Sequence, residues 1–381
     1  MTTQSLFINL IRYSVCGEKL DNISKSEIDY QALYSLAKSH DLTHIVSHAL
    51  EKNGLLPDDE ELAKSFKKQK MLALYRIIQF DDEIAKMKNV FSELGVKFIL
   101  LKGSVLRSYY PERWMRTSCD VDFLVDKPDF FKVSKYLVNQ LGYKKALYES
   151  HDVSMFSPEG AHLELHYALL EDNVIPSTKK IFKSVWDYAS CYLGYEYVLS
   201  AELFYLYHIA HMAKHIRNGG CGVRPFIDLW VLKNVMNVNA DKCRDLLENC
   251  ELFELADNVE RLTAYWFDGA EGDDLTQKFA AFIIRGGVFG NEHNRAAITA
   301  ATKTKRPLWS YIWKPYDELI YVFPSLEGRK LLLPFYEVAR WFKLVFNGAV
   351  KKSIARKKIV GSIDEDSLRS IEDFVKRLGI K

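Results

Sequence analysis

The hydrophobic pattern of this chain changes period twice, and the interval between the two changes limits the fold more than any single motif. Before Gly95, apolar residues recur at helical spacing: Tyr30, Leu33, Leu36 and Ala37, then Leu62, Phe66, Leu72, Leu74, Ile77 and Ile78, out to Phe91 and Leu94. Ser24 with Glu27 fits a capping box ahead of the first run, and Pro57-Asp58-Asp59 opens the second. From Gly95 the period falls to two. Val96 to Leu101 is a strand-length apolar run broken only by Lys97. Cys119 to Val125 alternates, with Asp120, Asp122 and Leu124 on one face and Val121, Phe123 and Val125 on the other. Tyr143 to Leu147, Val153 to Phe156 and Ala161 to Leu169 read as further strands. Two helices intervene: one from Val105 to Tyr110, stopped before Pro111, and one from Pro128 to a cap at Gly142.

Beyond Pro176 the helical period returns, with segments near 177–190, 200–217, 223–237, 240–250, 253–268 and 273–285. A glycine-rich break follows at Gly286 to Gly290, then a basic loop at Lys303-Thr304-Lys305-Arg306. A helical set from Leu308, a run from Phe335 to Phe346, a basic stretch from Lys351 to Lys358 and a last helix from Asp364 to Leu378 complete the chain. The expected class is α+β: a small mixed β-sheet core at 95–172, flanked by helical regions at 1–94 and 173–381, with helices covering one face of the sheet.

Bulk properties narrow the function classes. Lys plus Arg of 52 against Asp plus Glu of 50 leaves a net charge of +2, so no overall field calls for nucleic acid or an anionic membrane. The lysines at 64, 67, 68 and 70 read as a solvated helix face. No apolar run approaches the roughly 20 residues that span a bilayer, and Met1 to Ser5 lacks a basic secretory n-region. The six cysteines include no Cys-x-x-Cys pair, which argues against a zinc ribbon or a disulfide framework. A soluble cytoplasmic protein with reduced thiols is expected.

The chemistry concentrates between Lys97 and Tyr167. Acids at i and i+2 on a strand project from one face with Cα atoms about 6.6 Å apart, so Asp120 and Asp122 can converge on hard cations, which prefer oxygen ligands. Glu164, inside the alternation His162-Leu163-Glu164-Leu165-His166, offers a third carboxylate from another strand. Two metals about 3.5–4 Å apart can steady the attacking and leaving oxygens of a phosphoryl transfer. Lys102-Gly103-Ser104 lies at a strand-to-helix turn, where free backbone N–H groups favour a phosphate and Lys102 adds a point charge. Each element alone is common in proteins; their order and spacing together point to a metal site.

These residues carry a resemblance. The segment resembles the nucleotidyltransferase superfamily of the DNA polymerase β type. More narrowly, it is similar to an uncharacterised bacterial nucleotidyltransferase family, through Leu101-Lys102-Gly103, the run from Arg116 through Asp120-Val121-Asp122-Phe123-Leu124-Val125, and Glu164-Leu165-His166. Ala37-Lys38-Ser39-His40-Asp41-Leu42, His211-Met212-Ala213-Lys214-His215 and Arg224-Pro225-Phe226-Ile227-Asp228-Leu229 fit its flanking helical parts. One departure is that Val105-Leu106-Arg107 is bulkier than the small residues that often follow the Gly-Ser turn in the superfamily.

The resemblance implies metal-dependent transfer of a nucleoside monophosphate from NTP to an acceptor. Asp120, Asp122 and Glu164 would be the catalytic, Mg²⁺- or Mn²⁺-holding acids, with Glu164 as third ligand or as base. Gly103 and Ser104 would cradle the triphosphate, and Lys102 or Arg116 would neutralise its charge, unless Arg116 pairs with an acid and holds the loop. His166 would contact substrate or orient Glu164. The acceptor is open between a small molecule, a sugar phosphate and a protein side chain; nucleic acid is not expected, a tRNA end being left open. The alternative is a non-catalytic nucleotide-binding or interaction protein that keeps the fold.

Two features remain. His208, His211 and His215 share one helix face, which suits a metal-dependent hydrolase site, a row facing substrate together with Lys214, or plain packing. Arg224 and Asp228, at i and i+4 after Gly219-Gly220-Cys221-Gly222, suit an intrahelical ion pair or a substrate clamp.

Overall fold

The computed structural model describes residues 1–148, 151–171, 174–288, 290–301, 313–316, 319, 323–326, 328–346 and 365–380. The basic loop at 303–306 and the basic stretch at 351–358 lie outside the described residues. The N-terminal region is helical as its period demands: α1 Thr3–Ile11, α2 Tyr30–Ser39, α3 Thr43–Lys52 and α4 Glu60–Leu94. Asp59 caps α4 by accepting from the Leu62 N–H, and Gly95, at φ 65°, closes it in the left-handed region that glycine tolerates. The capping box at Ser24 does not open α2. Ser24 instead shares a hydroxyl hydrogen bond with Ser26 before a single 3₁₀ turn, and Asp29 caps α2 through the Ala32 N–H.

The sheet has seven strands: β1 Phe98–Leu100, β2 Val121–Val125, β3 Lys144–Tyr148, β4 Asp152–Phe156, β5 His162–His166, β6 Ala189–Leu193 and β7 Glu196–Leu199. Their order is β3-β4-β5-β2-β1-β7-β6. Pairing is mixed, with β2 parallel to β5 and antiparallel to β1, and β1 parallel to β7. The β6–β7 hairpin corrects the reading of 177–190 as helix. A short helix, α7 Lys179–Lys183, is followed by a 3₁₀ turn and then by strand, and the hairpin joins the sheet beyond β1. Between β1 and β3 lie α5 Gly103–Leu106 and α6 Lys127–Leu141. After the hairpin come α8 Ala201–Arg217, α9 Arg224–Asn234, α10 Ala240–Asn249, α11 Phe253–Phe267, α12 Asp274–Gly286 and α13 Glu292–Ala301, then helices at Leu333–Phe346 and Glu365–Arg377.

The two faces of the sheet feed two separate cores. Val121, Phe123, Val125, Leu163, Leu165, Val153 and Met155 pack against Phe80, Met87, Val90 and Phe91 of α4 and Phe130, Val133 and Leu137 of α6. Ile99, Leu101 and Leu124, of opposite parity, join the core of the helical regions, which includes α8 and α9. At 35 residues, about 52 Å long, α4 reaches both cores, Phe66 and Ala73 entering one and Phe80 to Phe91 the other. Leu72 and Ile78, read as part of its apolar stripe, face outward at 38% and 62% exposure. Among the described residues, no helix is long and apolar enough to cross a membrane, and all six cysteines are free thiols.

Candidate active site

The β2–β5 register decides where the acids lie. Asp122 and Glu164 are directly paired positions of parallel neighbours, so their side chains leave the same face side by side. Asp120, two residues before Asp122, shares that parity, as do His162 and His166 on β5 and Asp152 and Ser154 on β4. This face lines a cavity of about 830 Å³, whose other wall carries Tyr207, His208, His211, Lys214 and His215 of α8. Every site residue expected from sequence lines that cavity except Ser104, whose Oγ is buried without a hydrogen-bond partner.

Charge in the cavity is crowded. Lys102 Nζ lies 2.7 Å from Asp122 Oδ1 and 3.9 Å from Glu164 Oε2. His166 Nε2 lies 2.9 Å from the same Asp122 oxygen and 3.5 Å from Glu164 Oε2. Burial would raise the Asp122 carboxyl, but Lys102 and His166 together hold it well below the usual carboxylate range. Among the described residues Asp120 has no such ion pair, and burial beside Asp122 and Glu164 pushes it up to about 7. Burial would lower His166, yet its bonds to Asp122 and Glu164 raise it to about 9. The Lys102 ammonium is held charged against burial by Asp122. To reach these acids the Lys102 backbone adopts φ 47° and ψ −124°, a strained setting for a residue with a side chain.

The glycine after it is explained by space. A Cβ on Gly103 would sit 3.0 Å from Arg116 Nη1, and Arg116 is anchored by donating from Nε to Asp228 Oδ1 at 2.6 Å. Tyr110 donates to the same oxygen at 2.6 Å. The Arg116 guanidinium stays charged despite burial because of Asp228. Arg224 and Asp228 therefore form no intrahelical pair: Arg224 binds Asp41 Oδ2 at 2.5 Å and the Asp41 carbonyl at 2.7 Å. These two ties join the region before the sheet, the β1–β2 connection and α9 around one end of the cavity. His40 and His44 brace the same corner through the carbonyls of Ile284 and Met115, and burial lowers each to about 4.

The helix histidines are brought to the cavity but do not converge on an acid. His208 bonds the Pro225 carbonyl at 2.8 Å, and His211 and His215 pair with each other at 3.2 Å. Burial lowers all three, His215 to about 4. Among the described residues, the groups able to hold a metal ion lie on or beside the sheet instead: Asp122, Glu164 and His166; Asp120, His162 and Glu164; and His151, Asp152 and His166, the ligand atoms of each lying within 4.8 Å of one another. His151, Asp152 and His162 were missed in the sequence. His162 could have been found two residues before Glu164 on the same face, but Asp152 meets His166 only through β4–β5 pairing.

A family model described as an uncharacterised nucleotidyltransferase matches residues 26–268. The chain belongs to that family. The matched span runs from α2 to α11 and contains every residue assigned above to the cavity's acids, turn and ties. Comparison with curated proteins found no match. Nucleotidyl transfer is thus the general activity of the family, and the acid–histidine clusters here are able to hold a metal ion.

Proposed function

We propose that the chain transfers a nucleoside monophosphate from an NTP to an acceptor hydroxyl or phosphate with the help of Mg²⁺ or Mn²⁺, in the manner of the polymerase β-type superfamily. The observation that carries this reading is the pairing of Asp122 with Glu164 across β2 and β5, with Asp120 one step away, all opening into one cavity beside Lys102. The donor set fits a hard divalent cation. Three carboxylates share one lysine, and Asp120, pushed up to about 7, is the one that makes no ion pair among the described residues. Asp120, Asp122 and Glu164 would hold the ion. When bound, it neutralises phosphate charge and steadies the attacking and leaving oxygens.

The remaining roles belong to the chain's own groups. Lys102 supplies a fixed ammonium beside the acids. Gly103 lets the turn approach a phosphate while Arg116, tied to Asp228, holds that turn in place. His166 orients Asp122 through its 2.9 Å contact. The acceptor enters on the α8 side, where His211, His215 and Lys214 line the cavity, with Arg224 and Asp228 securing the wall. A small molecule, a sugar phosphate and a protein side chain all suit this space, and six free thiols suit a reducing, cytoplasmic setting.

The test is incubation with each labelled NTP and Mg²⁺ or Mn²⁺, following pyrophosphate release and self-labelling, for wild type against Asp120→Ala/Asp122→Ala. Signal confined to wild type is expected. Equal signal from both proteins would remove the catalytic roles assigned to the two acids, and nucleotide binding without turnover in either would favour a non-catalytic nucleotide-binding protein.

A further inference from the structure

Next to the three acids lies a second donor set of different chemistry. Asp152 and His166 are directly paired on β4 and β5, and His151 immediately precedes β4. Asp152 Oδ2 is 3.6 Å from His151 Nε2 and 3.6 Å from His166 Nδ1. A tetrahedral ion with bonds of about 2.0–2.1 Å has ligand–ligand edges of about 3.4 Å, so both separations are those of ligands around one centre. Both histidines are at least nine-tenths buried, and among the described residues neither His166 Nδ1 nor His151 Nδ1 has a hydrogen-bond partner.

The far nitrogen of each ring faces a carboxylate. His166 Nε2 is 2.9 Å from Asp122 Oδ1, and His151 Nδ1 is 3.6 Å from Glu171 Oε1. Metal-binding histidines are held as His166 is, with the second N–H given to a carboxylate that fixes the tautomer and turns the other lone pair to the ion, and Glu171 stands near enough to His151 Nδ1 to take that part once the ring is fixed by an ion. Glu171 is itself held by Lys214 at 3.2 Å.

We propose that His151, Asp152 and His166 form a binding site for one divalent transition-metal ion of the Zn²⁺ type, separate from the carboxylate site and with a coordination position open to the cavity. Two imidazoles and one carboxylate select such an ion over Mg²⁺, which prefers oxygen ligands and keeps its waters. All three residues line the cavity, so the open position can take a water or a donor atom of an incoming molecule. The helix row at His208, His211 and His215, which also suggests a metal in the sequence, lacks the acid that this site has. The site does not depend on the nucleotidyl transfer reading, because its ligands and their test involve metal binding alone.

The test is titration of the full-length, metal-stripped protein with Co²⁺ in excess Mg²⁺, following the visible d–d bands, with Zn²⁺ displacing Co²⁺ and metal content measured after dialysis. Wild type and Asp120→Asn should each bind one equivalent. His151→Ala and Asp152→Asn should lose it. Glu171→Gln, which leaves every proposed ligand in place, should weaken it about 10–100-fold, and His211→Ala should bind as wild type. Loss with His211→Ala but not with His151→Ala would overturn the assignment. So would a folded wild type that binds no Co²⁺ or Zn²⁺, in which case a proton alone bridges His166 and Asp152.

Discussion

The two faces of the β2–β5 pair are built from alternate residues of the same ten positions and have opposite characters. On one, Val121, Phe123, Val125, Leu163 and Leu165 are fully buried against α4 and α6. On the other, Asp122, Glu164 and His166 open into the cavity beneath α8, with His162 on the same face beside Glu164. The dry face is governed by volume: any apolar side chain of the right size and shape will do. On the polar face charge balance governs, because Lys102 and His166 are held by Asp122 while Asp120 makes no ion pair of its own among the described residues. Neighbours one residue apart should therefore fail in different ways.

The largest effect should fall on activity. Asp122→Ala removes the group shared by Lys102 and His166, and should lower nucleotidyl transfer by about 10³-fold or more with far-ultraviolet circular dichroism unchanged; a steady-state pyrophosphate assay decides. Phe123→Ala, the adjacent residue, should cost about 3–5 kcal/mol of stability, read by denaturant unfolding, because its cavity forms among Phe91, Phe98 and α4. Comparable stability losses from both variants would erase the distinction between the faces.

Smaller effects sharpen it. Asp120→Asn removes the carboxylate without a partner, so the metal-free protein should melt about 2–4 °C higher than wild type while losing the midpoint rise that Mg²⁺ gives wild type. The sign follows from Asp120 standing above its ordinary value, since an acid that resists ionisation in the folded state destabilises it wherever it must ionise.

Acid should act on the polar side of the sheet. His40, His44 and His215 sit at about 4, below the 6.5 of a free histidine. Below 6.5 the unfolded chain takes up protons that the folded one refuses, so their contribution is complete above pH 6.5 and is lost as pH falls towards 4. His44→Gln should flatten that slope in a pH series of melting curves, by about 3 kcal/mol. The mildest change is Gly103→Ala. Its methyl would crowd Arg116 at 3.0 Å, and a few-fold rise in KM for NTP with nearly unchanged kcat is expected.

Much of this contrast was legible in the sequence, because strand parity is a property of consecutive residues. The alternation at Asp120–Val125 and His162–His166 set the acids on one side and, Leu124 apart, the apolar residues on the other before any pairing was known. What pairing alone supplies was not legible. Asp152 meets His166, and Arg116 meets Asp228, through contacts whose partners are distant in the chain. The β6–β7 hairpin was missed because Ser190 to Leu193 is an exposed edge strand whose residues show no buried stripe. At Ser24 the capping-box residues were present, but the chain makes one 3₁₀ turn and starts its helix at Asp29 instead. The helix histidines shared a face as expected, yet being on one face of a helix supplies no acid to complete a metal site.

On the proposed mechanism Asp120, Asp122 and Glu164 together hold the divalent ion used in catalysis. Mn²⁺ binding in the presence of NTP, read by electron paramagnetic resonance on wild type, Asp122→Asn and Phe123→Leu, tests it most directly. Asp122→Asn should lose at least tenfold in Mn²⁺ affinity, and Phe123→Leu should bind as wild type. Equal Mn²⁺ affinity in wild type and Asp122→Asn would contradict it.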